Sequence, residues 1–328
     1  MDTHAIGRRA LATLLGAGAM ARGATAQEGW PARPVRVIVP FAPGAATDLL
    51  SRLMAQQLGE AFGQSFVAEN RTGANGAIAA ELVARGPRDG GMILTGTFST
   101  HATNPHIYPR FPYDPVADFA PITLIATVPQ VIAVHPALGI RTVAELRAAA
   151  TARPGAITAA SGGIGSSQHL SAVMFERAAG VQFELIHYAR GFAQVVPDLL
   201  ENRVNLTFGD PLALLPMIRE GRLRALAMTS EGRSDLLPDV PSVAELGLPG
   251  AVALTWYGLF VAAGTDPAII ARLGEACTRA IRKPEVAARI RELGAIPSGL
   301  GPAEFGAFQR AEFAKWGEVI RNANIRVE

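Results

Sequence analysis

The chain has 328 residues, a formal net charge of +2 and one cysteine. Removing residues 1–26 takes away three arginines and one aspartate and brings the charge to zero, so no basic surplus is left for nucleic acid or an anionic membrane. A lone cysteine excludes an intramolecular disulfide, and a chain of about 300 residues can bury roughly three quarters of its unfolded surface, enough for two lobes.

The first segment reads as an export signal. Arg8 and Arg9 precede an uncharged run, and Ala24-Thr25-Ala26 then offers small residues for cleavage ahead of Gln27. The apolar run is too short to span a bilayer, which needs about 20 residues. Cleavage is expected near Ala26–Gln27, and no cysteine follows to carry a lipid. The paired arginines leave the general and the twin-arginine routes both open.

Beyond the signal, short apolar runs alternate with amphipathic segments. Residues 35–41 (VRVIVPF) predict a buried strand, and Leu49, Leu50, Leu53, Met54, Leu58 and Phe62 recur at helical spacing. Further strands are expected over 92–98, 122–128, 131–135, 157–160, 183–188, 204–208, 223–229 and 257–262. Thr142-x-x-Glu145 and Ser242-x-x-Glu245 predict helix starts by the capping-box pattern. Asp266-Pro267 and Lys283-Pro284 open two more helices, the second ended by Gly294. Phe305, Phe308, Phe313, Trp316 and Ile320 form one core stripe on a last long helix, and Cys277 falls inside a helical pattern as a small core residue. Strands alternating with helices predict an α/β protein with largely parallel sheets.

In such sheets ligands sit beyond the carboxyl ends of the strands, so the loops there are the candidate site. The first loop holds Phe41, Ala42, Gly44, Ala45, Thr47 and Asp48 before a helix start, where free N–H groups make an anion site. Asp48 caps that helix or braces the loop. The second loop runs from Ser161 through Gly165, Ser166, Ser167 and His169, with glycines for close approach and hydroxyls as donors. It lacks the lysine of a P-loop, the third glycine of a dinucleotide fingerprint and the glycine of a nucleophile elbow. Ser167 and His169 are two apart on a helix and do not face each other, which leaves a hydrolase as the weaker alternative. The third loop offers Thr97, Ser99, His101 and Asn104. His101 and His106 have no carboxylate or cysteine nearby, so no metal is expected. Tyr188, Arg190 and Gly191, with Gly209 and Asp210, would line the cleft from the other lobe. Asp210 accepts a hydroxyl or ammonium proton there, or caps the helix beginning at Pro211.

Taken together, WPARPVRVIVPFAPGAATDLLSR, VAENRTGANGAIAAELVA, GGIGSSQHLSA, YARGFAQVVPDLLENRVNLTFGD and GRLRALAMTSEGRSDLLPDVPSVAELGLPG resemble the substrate-binding receptors of tripartite tricarboxylate transporters, the Bug receptors. The resemblance covers almost the whole mature chain. It implies a two-lobed periplasmic-binding-protein-like fold (a Venus flytrap, type II) with mixed sheets and hinge strands. Lobe 1 is expected over 27–127 and 251–328, and lobe 2 over 128–250. It implies a periplasmic receptor, not an enzyme, that holds a small organic mono- or dicarboxylate through main-chain and hydroxyl donors of the first two loops. The expected partners are that carboxylate and the membrane components of the transporter. No cofactor and no nucleic acid are expected, and the chain should act as a monomer. The alternatives are an exported enzyme using Ser166 or His169, and a receptor that feeds a sensor kinase.

Three departures from the family pattern bear on the ligand. Ala45 replaces a usual glycine and would narrow the pocket. Arg190 ahead of Gly191 brings a cation toward the cleft. Phe192-Ala193 replaces a small pair, and the ring would take up space or stack on an aromatic ligand.

Overall fold

The computed structural model describes residues 29–188 and 191–326. The export signal and Arg190 lie outside the described residues. The elements, in chain order, are β1 Val35–Val39, α1 Ala46–Phe62, β2 Phe66–Asn70, α2 Ala77–Ala84, β3 Met92–Thr97, α3 Asn104–Ile107, β4 Phe119–Pro129, β5 Val131–Val134, α4 Val143–Ala152, β6 Thr158–Ser161, α5 Ser167–Ala179, β7 Glu184–His187, α6 Val195–Leu200, β8 Leu206–Gly209, α7 Pro211–Arg219, β9 Arg224–Met228, β10 Leu254–Ala262, α8 Pro267–Ile281, α9 Pro284–Glu292, β11 Ile296–Leu300 and α10 Pro302–Asn322.

They build two mixed α/β sheets in two lobes. One sheet has six strands in the order β11-β4-β10-β3-β1-β2, the other five in the order β7-β6-β8-β5-β9. β1 is apolar at every position but Arg36, which pairs with Glu69 of β2, because helices cover both faces of its sheet and its flanking partners β2 and β3 run parallel to it. The expectation of largely parallel sheets needs correction. β10 pairs antiparallel with both β3 and β4, and β5 pairs antiparallel with both β8 and β9. These are the strands that carry the chain between sheets, so they enter each one against its parallel core.

The crossing is narrow. β4 and β10 pair side by side from Phe119↔Ala262 to Pro129↔Leu254. One residue later, Val131 is already in the other sheet, opposite Gly209. Gln130 is the single residue between, and it is fully buried. Its carbonyl accepts from the Thr229 amide at 2.8 Å, and the Thr229 carbonyl accepts from Ala253 at 3.0 Å. Thr229 Oγ1 accepts from the Gln130 amide at 2.8 Å and donates to the Ala253 carbonyl at 2.6 Å. One buried hydroxyl thus ties both crossings together.

Two strands are absent from the periodicity. β2 (FVAEN) has one buried residue, and β11 (IPSGL) holds a proline, a glycine and a shift in register. Both are edge strands, where one-sided burial leaves little alternation to read. Thr142 caps α4 as expected, accepting from Glu145 N–H at 3.1 Å. The Ser242-Glu245 pair makes both reciprocal bonds, but no helix follows. Gly247 turns left-handed at φ +75, and Leu248 N–H closes back onto Val243, so the chain leaves after one turn. Cys277 is wholly buried, and burial pushes its thiol up to about 12, so it is inert packing. Among the described residues no helix is long and apolar enough to cross a membrane.

Candidate functional site

The first loop leaves β1 and enters α1. Gly44 sits at φ +82, which only glycine adopts readily, and its N–H donates to Asp48 Oδ2 at 3.0 Å. Asp48 also takes Asn70 Nδ2 at 2.9 Å and Arg52 Nε at 3.0 Å. Burial alone would raise its pKa. The bonds from Arg52, Gly44 and Asn70 overcome that and hold it below the usual carboxylate range. Asp48 is 2% exposed, so it braces the loop from behind. Asp48→Ala is expected to cost about 1–3 kcal/mol, a melting temperature lowered by roughly 2–10 °C, and to weaken ligand binding by freeing Gly44. An unchanged melting curve in scanning calorimetry would show the brace to be dispensable. Ala45, at φ −67, carries its methyl without strain and gives α1 no capping side chain. The first-turn N–H groups, beside Phe41, Ala42 and Thr47, are therefore left to other partners.

In the second loop the structure redistributes the donors. Gly165 N–H, expected to face the ligand, donates to His169 Nδ1 at 3.0 Å. Ser166, not a residue farther along, caps α5, its hydroxyl accepting from His169 N–H at 3.3 Å. Ser166 N–H is spent on Gly163 O at 3.2 Å. Ser161 Oγ lies 2.7 Å from His187 Nδ1, and the His187 ring stands edge-on to His169 with centroids 4.4 Å apart. Ser167, half-buried at the start of α5, carries the loop's remaining hydroxyl. The His169 ring serves the loop's backbone, and its bond is to Gly165 rather than to the Ser166 hydroxyl, so Ser166 and His169 do not form a serine–base pair. Gly165 (φ +75) touches the other lobe: a Cβ there would lie 2.4 Å from Ile107 Cδ1 in α3.

The third loop is mostly interior. His101 is fully buried and stacks on Phe260 at 4.0 Å, edge-on to Phe119 at 4.6 Å. Burial pushes its pKa down to about 3. It is a neutral core ring, not a ligand contact. Thr97 bonds to Thr100, Asn104 exchanges bonds of 2.8 and 3.0 Å with Asn75, and Ser99 is half-buried. Asn75 stands at φ +49 in the loop after β2, which periodicity did not mark as a site because β2 itself was illegible. Among the described residues no group of three or more His, Cys, Asp or Glu could hold a metal ion.

The depressed histidines set an acid response. Burial lowers His101 to about 3 and, with the His187 charge, His169 to about 4. Each is neutral in the folded protein, so its contribution to stability is complete above the unfolded value near 6.5 and is lost as pH falls toward its folded value. The loss is about 1.4 kcal/mol per pH unit for each group below 6.5. Asp210 and Glu176, shifted up by burial, work in the opposite sense over the same interval. Melting temperature is expected to fall between pH 7 and 4.5, and to fall less in His101→Phe, which keeps a stacking ring that does not titrate. Equal slopes for the two proteins would count against this account.

From the other lobe, the Tyr188 hydroxyl donates to Asp198 at 2.5 Å and is pushed up to about 12 by burial and that bond. Gly191 is left-handed at φ +88. Phe192 packs against the loops rather than standing free: its ring lies 2.6 Å from where a Gly209 Cβ would be, and its amide nitrogen 2.8 Å from where a Gly162 Cβ would be. Asp210 stands at the cap position of α7 but makes no cap bond. Its Oδ1 accepts from Gln130 Nε2 at 2.9 Å and its Oδ2 faces Gln168 Nε2 at 3.4 Å. Burial raises its pKa, with the Gln130 bond opposing.

Three residues that sequence reasoning missed complete the floor. Tyr257 of β10 pairs its hydroxyl with the Thr47 side chain and feels the charge of Asp210, so that burial first and Asp210 second raise its pKa. Gln168 lies in the first turn of α5 and Gln130 at the crossing. Asp210 thus ties Gln130 at the crossing to Gln168 at the start of α5, while Tyr257 pairs with Thr47 at the start of α1. A lone glutamine between two apolar runs (TVP-Gln130-VIAV) was the available signal.

The chain matches the model of the tripartite tricarboxylate transporter family receptor over residues 50–325. It is 34% identical over 300 residues to Protein BugT of Bordetella pertussis, covering 91% of this chain and 92% of that one. R. palustris Rpa4515 with adipate superposes with a TM-score of 0.80 at 37% identity, over 91% of this chain and all of that one. MatC of Rhodopseudomonas palustris with bound malate gives 0.74 at 29% identity, over 88% and 99%. The family is one of solute receptors rather than enzymes, which sets aside the hydrolase alternative that the Ser166–His169 geometry already disfavours. With its two mixed-sheet lobes joined at Gln130 and a polar floor between two helix starts, this chain belongs to the tripartite tricarboxylate transporter receptor family of periplasmic solute-binding proteins.

Proposed function

We propose that the chain is exported, cleaved near Ala26–Gln27, and captures a small organic carboxylate between lobe 1 (27–127 and 251–328) and lobe 2 (128–250) for delivery to the membrane components of a tripartite tricarboxylate transporter. The observation that carries the reading is the match to the receptor family over residues 50–325, together with polar groups at two helix starts, Thr47 at α1 and Gln168 on Asp210 at α5. A helix start attracts a nearby anion by about 0.3–1 kcal/mol when exposed and up to about 2 when partly buried. Charge-assisted hydrogen bonds add about 1.5–3 kcal/mol each. Two such ends together with several of these bonds suffice for micromolar binding, about −8.2 kcal/mol. The donors are the first-turn amides of α1 with Thr47, and Ser167 with the Gln168 amide. The adipate- and malate-bound relatives support the ligand class.

A ligand touching both lobes favours the closed form through the contacts it gains there. The test is mass spectrometry of small molecules released from protein purified without denaturation, followed by a thermal-shift panel of carboxylates. A carboxylate returned unchanged is expected. A released compound without an acid group, or one that the protein turns over, would overturn the reading.

A further inference from the structure

The floor of the cleft contains an acceptor-rich corner that a carboxylate does not fill. Asp210 places both carboxyl oxygens toward amide donors, Gln130 Nε2 at 2.9 Å and Gln168 Nε2 at 3.4 Å, which leaves it lone pairs to spare. None of the ion pairs found among the described residues includes Asp210, and its side-chain hydrogen-bond partners are the two amides. On the same amide group that holds Asp210, Gln130 Oε1 is buried and receives no hydrogen bond. Gln130 itself is fully enclosed. Buried acceptors are nearly always satisfied, and a buried charge is nearly always paired. Here an orphan acceptor and an unpaired carboxylate lie side by side, at the point where the lobes meet.

We infer that Asp210 and Gln130 Oε1 form the specificity-determining subsite for a hydrogen-bond donor on the ligand, an ammonium in preference to a hydroxyl. The inference rests on the carboxylate reading above and deepens it: the ligand is an amino-carboxylate, its acid group toward the helix starts and its cation toward Asp210. A hydroxyl supplies one donor and no charge. An ammonium supplies three donors and the charge that Asp210 lacks. The position of Asp210 fits this role, since it occupies the cap site of α7 yet makes no cap bond there. A carboxylate retained there for stability would cap the helix. This one bonds two side-chain amides instead.

The experiment uses isothermal titration of the mature protein with three matched series, propionate, lactate and alanine; succinate, malate and aspartate; and glutarate, 2-hydroxyglutarate and glutamate. Each series holds the skeleton fixed and changes hydrogen to hydroxyl to ammonium. In the series that fits the cleft, the ammonium member is expected to bind at least about tenfold more tightly than the unsubstituted acid, with the hydroxy acid between. Asp210→Asn keeps the size of the side chain and should remove that advantage, while the unsubstituted acid binds as well as before or better. Unaltered melting of the variant confirms that the fold is kept. Gln130→Met, which removes the orphan acceptor along with the donor to Asp210, should reduce the same preference.

If unsubstituted acids bind best, or if Asp210→Asn weakens every member equally, the inference is overturned and the carboxylate reading stands. The amidated compounds alaninamide and aspartic diamide separate the two ideas. If they bind as tightly as their parent acids, the carboxylate reading fails and the ammonium subsite survives. No binding in any series overturns both.

Discussion

Replacing Gly165 with valine is expected to abolish ligand capture, lowering affinity at least about a hundredfold, while both lobes stay folded. Two effects act together. Gly165 sits at φ +75, where a residue with a side chain pays about 1–2 kcal/mol, and a β-branched one more. A Cβ at that point would also lie 2.4 Å from Ile107 Cδ1 of the opposite lobe. The isoleucine tip can rotate, but a valine adds two more carbons to a seam that has no room for one. The variant relieves the clash with Ile107 by opening, so that cost falls on the closed state, while the backbone strain stays in the loop and displaces its donors. A penalty of about 3 kcal/mol against closure is about a hundredfold in apparent affinity. Calorimetry with the ligand released from the wild-type protein measures it, and circular dichroism checks the fold. The pair Gly165→Ala with Ile107→Ala restores space without restoring the glycine's backbone freedom, so it should regain part of the loss. Wild-type affinity in Gly165→Val would place the ligand elsewhere.

Thr229→Val should be the most damaging conservative change in the chain, since it keeps the shape and removes one hydroxyl. That hydroxyl accepts from the Gln130 amide and donates to the Ala253 carbonyl, all without access to water. Its loss strips a side-chain partner from two backbone groups at the crossing. Each buried polar group left unsatisfied costs about 1–3 kcal/mol, so the sum is roughly 2–6 kcal/mol. In melting temperature that is a drop of roughly 5–20 °C. Serine at the same position keeps both bonds and should recover most of the loss. Thr229→Ser melting as low as Thr229→Val would show that the methyl's packing matters and the bonds do not.

Much of the architecture was legible because burial writes itself into spacing. β1 lies between helical layers and so reads VRVIV without alternation, and α1 shows its core face at Leu50, Met54 and Leu58. The loops at the strand ends were legible through glycine, which marks Gly44 and Gly165 as turns whatever their role. What stayed hidden depends on partners distant in the chain. Nothing near Asp210 says that its partners are Gln130 and Gln168, 80 and 42 residues away, and so its cap position looked like a cap. His101 looked like a loop donor because the aromatic cage around it, Phe119, Tyr113 and Phe260, comes from three other segments. The Gly165 amide looked free because the acceptor, His169 Nδ1, is a side-chain atom whose direction spacing does not determine.

The path of the chain between the lobes also orders their assembly. The five-stranded sheet draws all its strands from one unbroken stretch, β5 to β9, whereas the six-stranded sheet is split by β10, which slots between β3 and β4. Until residues 254–262 arrive, β3 and β4 have no neighbour to join them, and the layer around Trp256 and Phe260 is missing its centre. Lobe 2 can therefore close on contacts local to itself, while lobe 1 must wait for the last quarter of the chain and close a loop of more than a hundred residues to receive it. Non-local pairing of this kind slows folding, because chain entropy is spent before contacts repay it. That delay keeps the leading half of the chain from locking early and leaves the two crossings to form last, together, around Thr229.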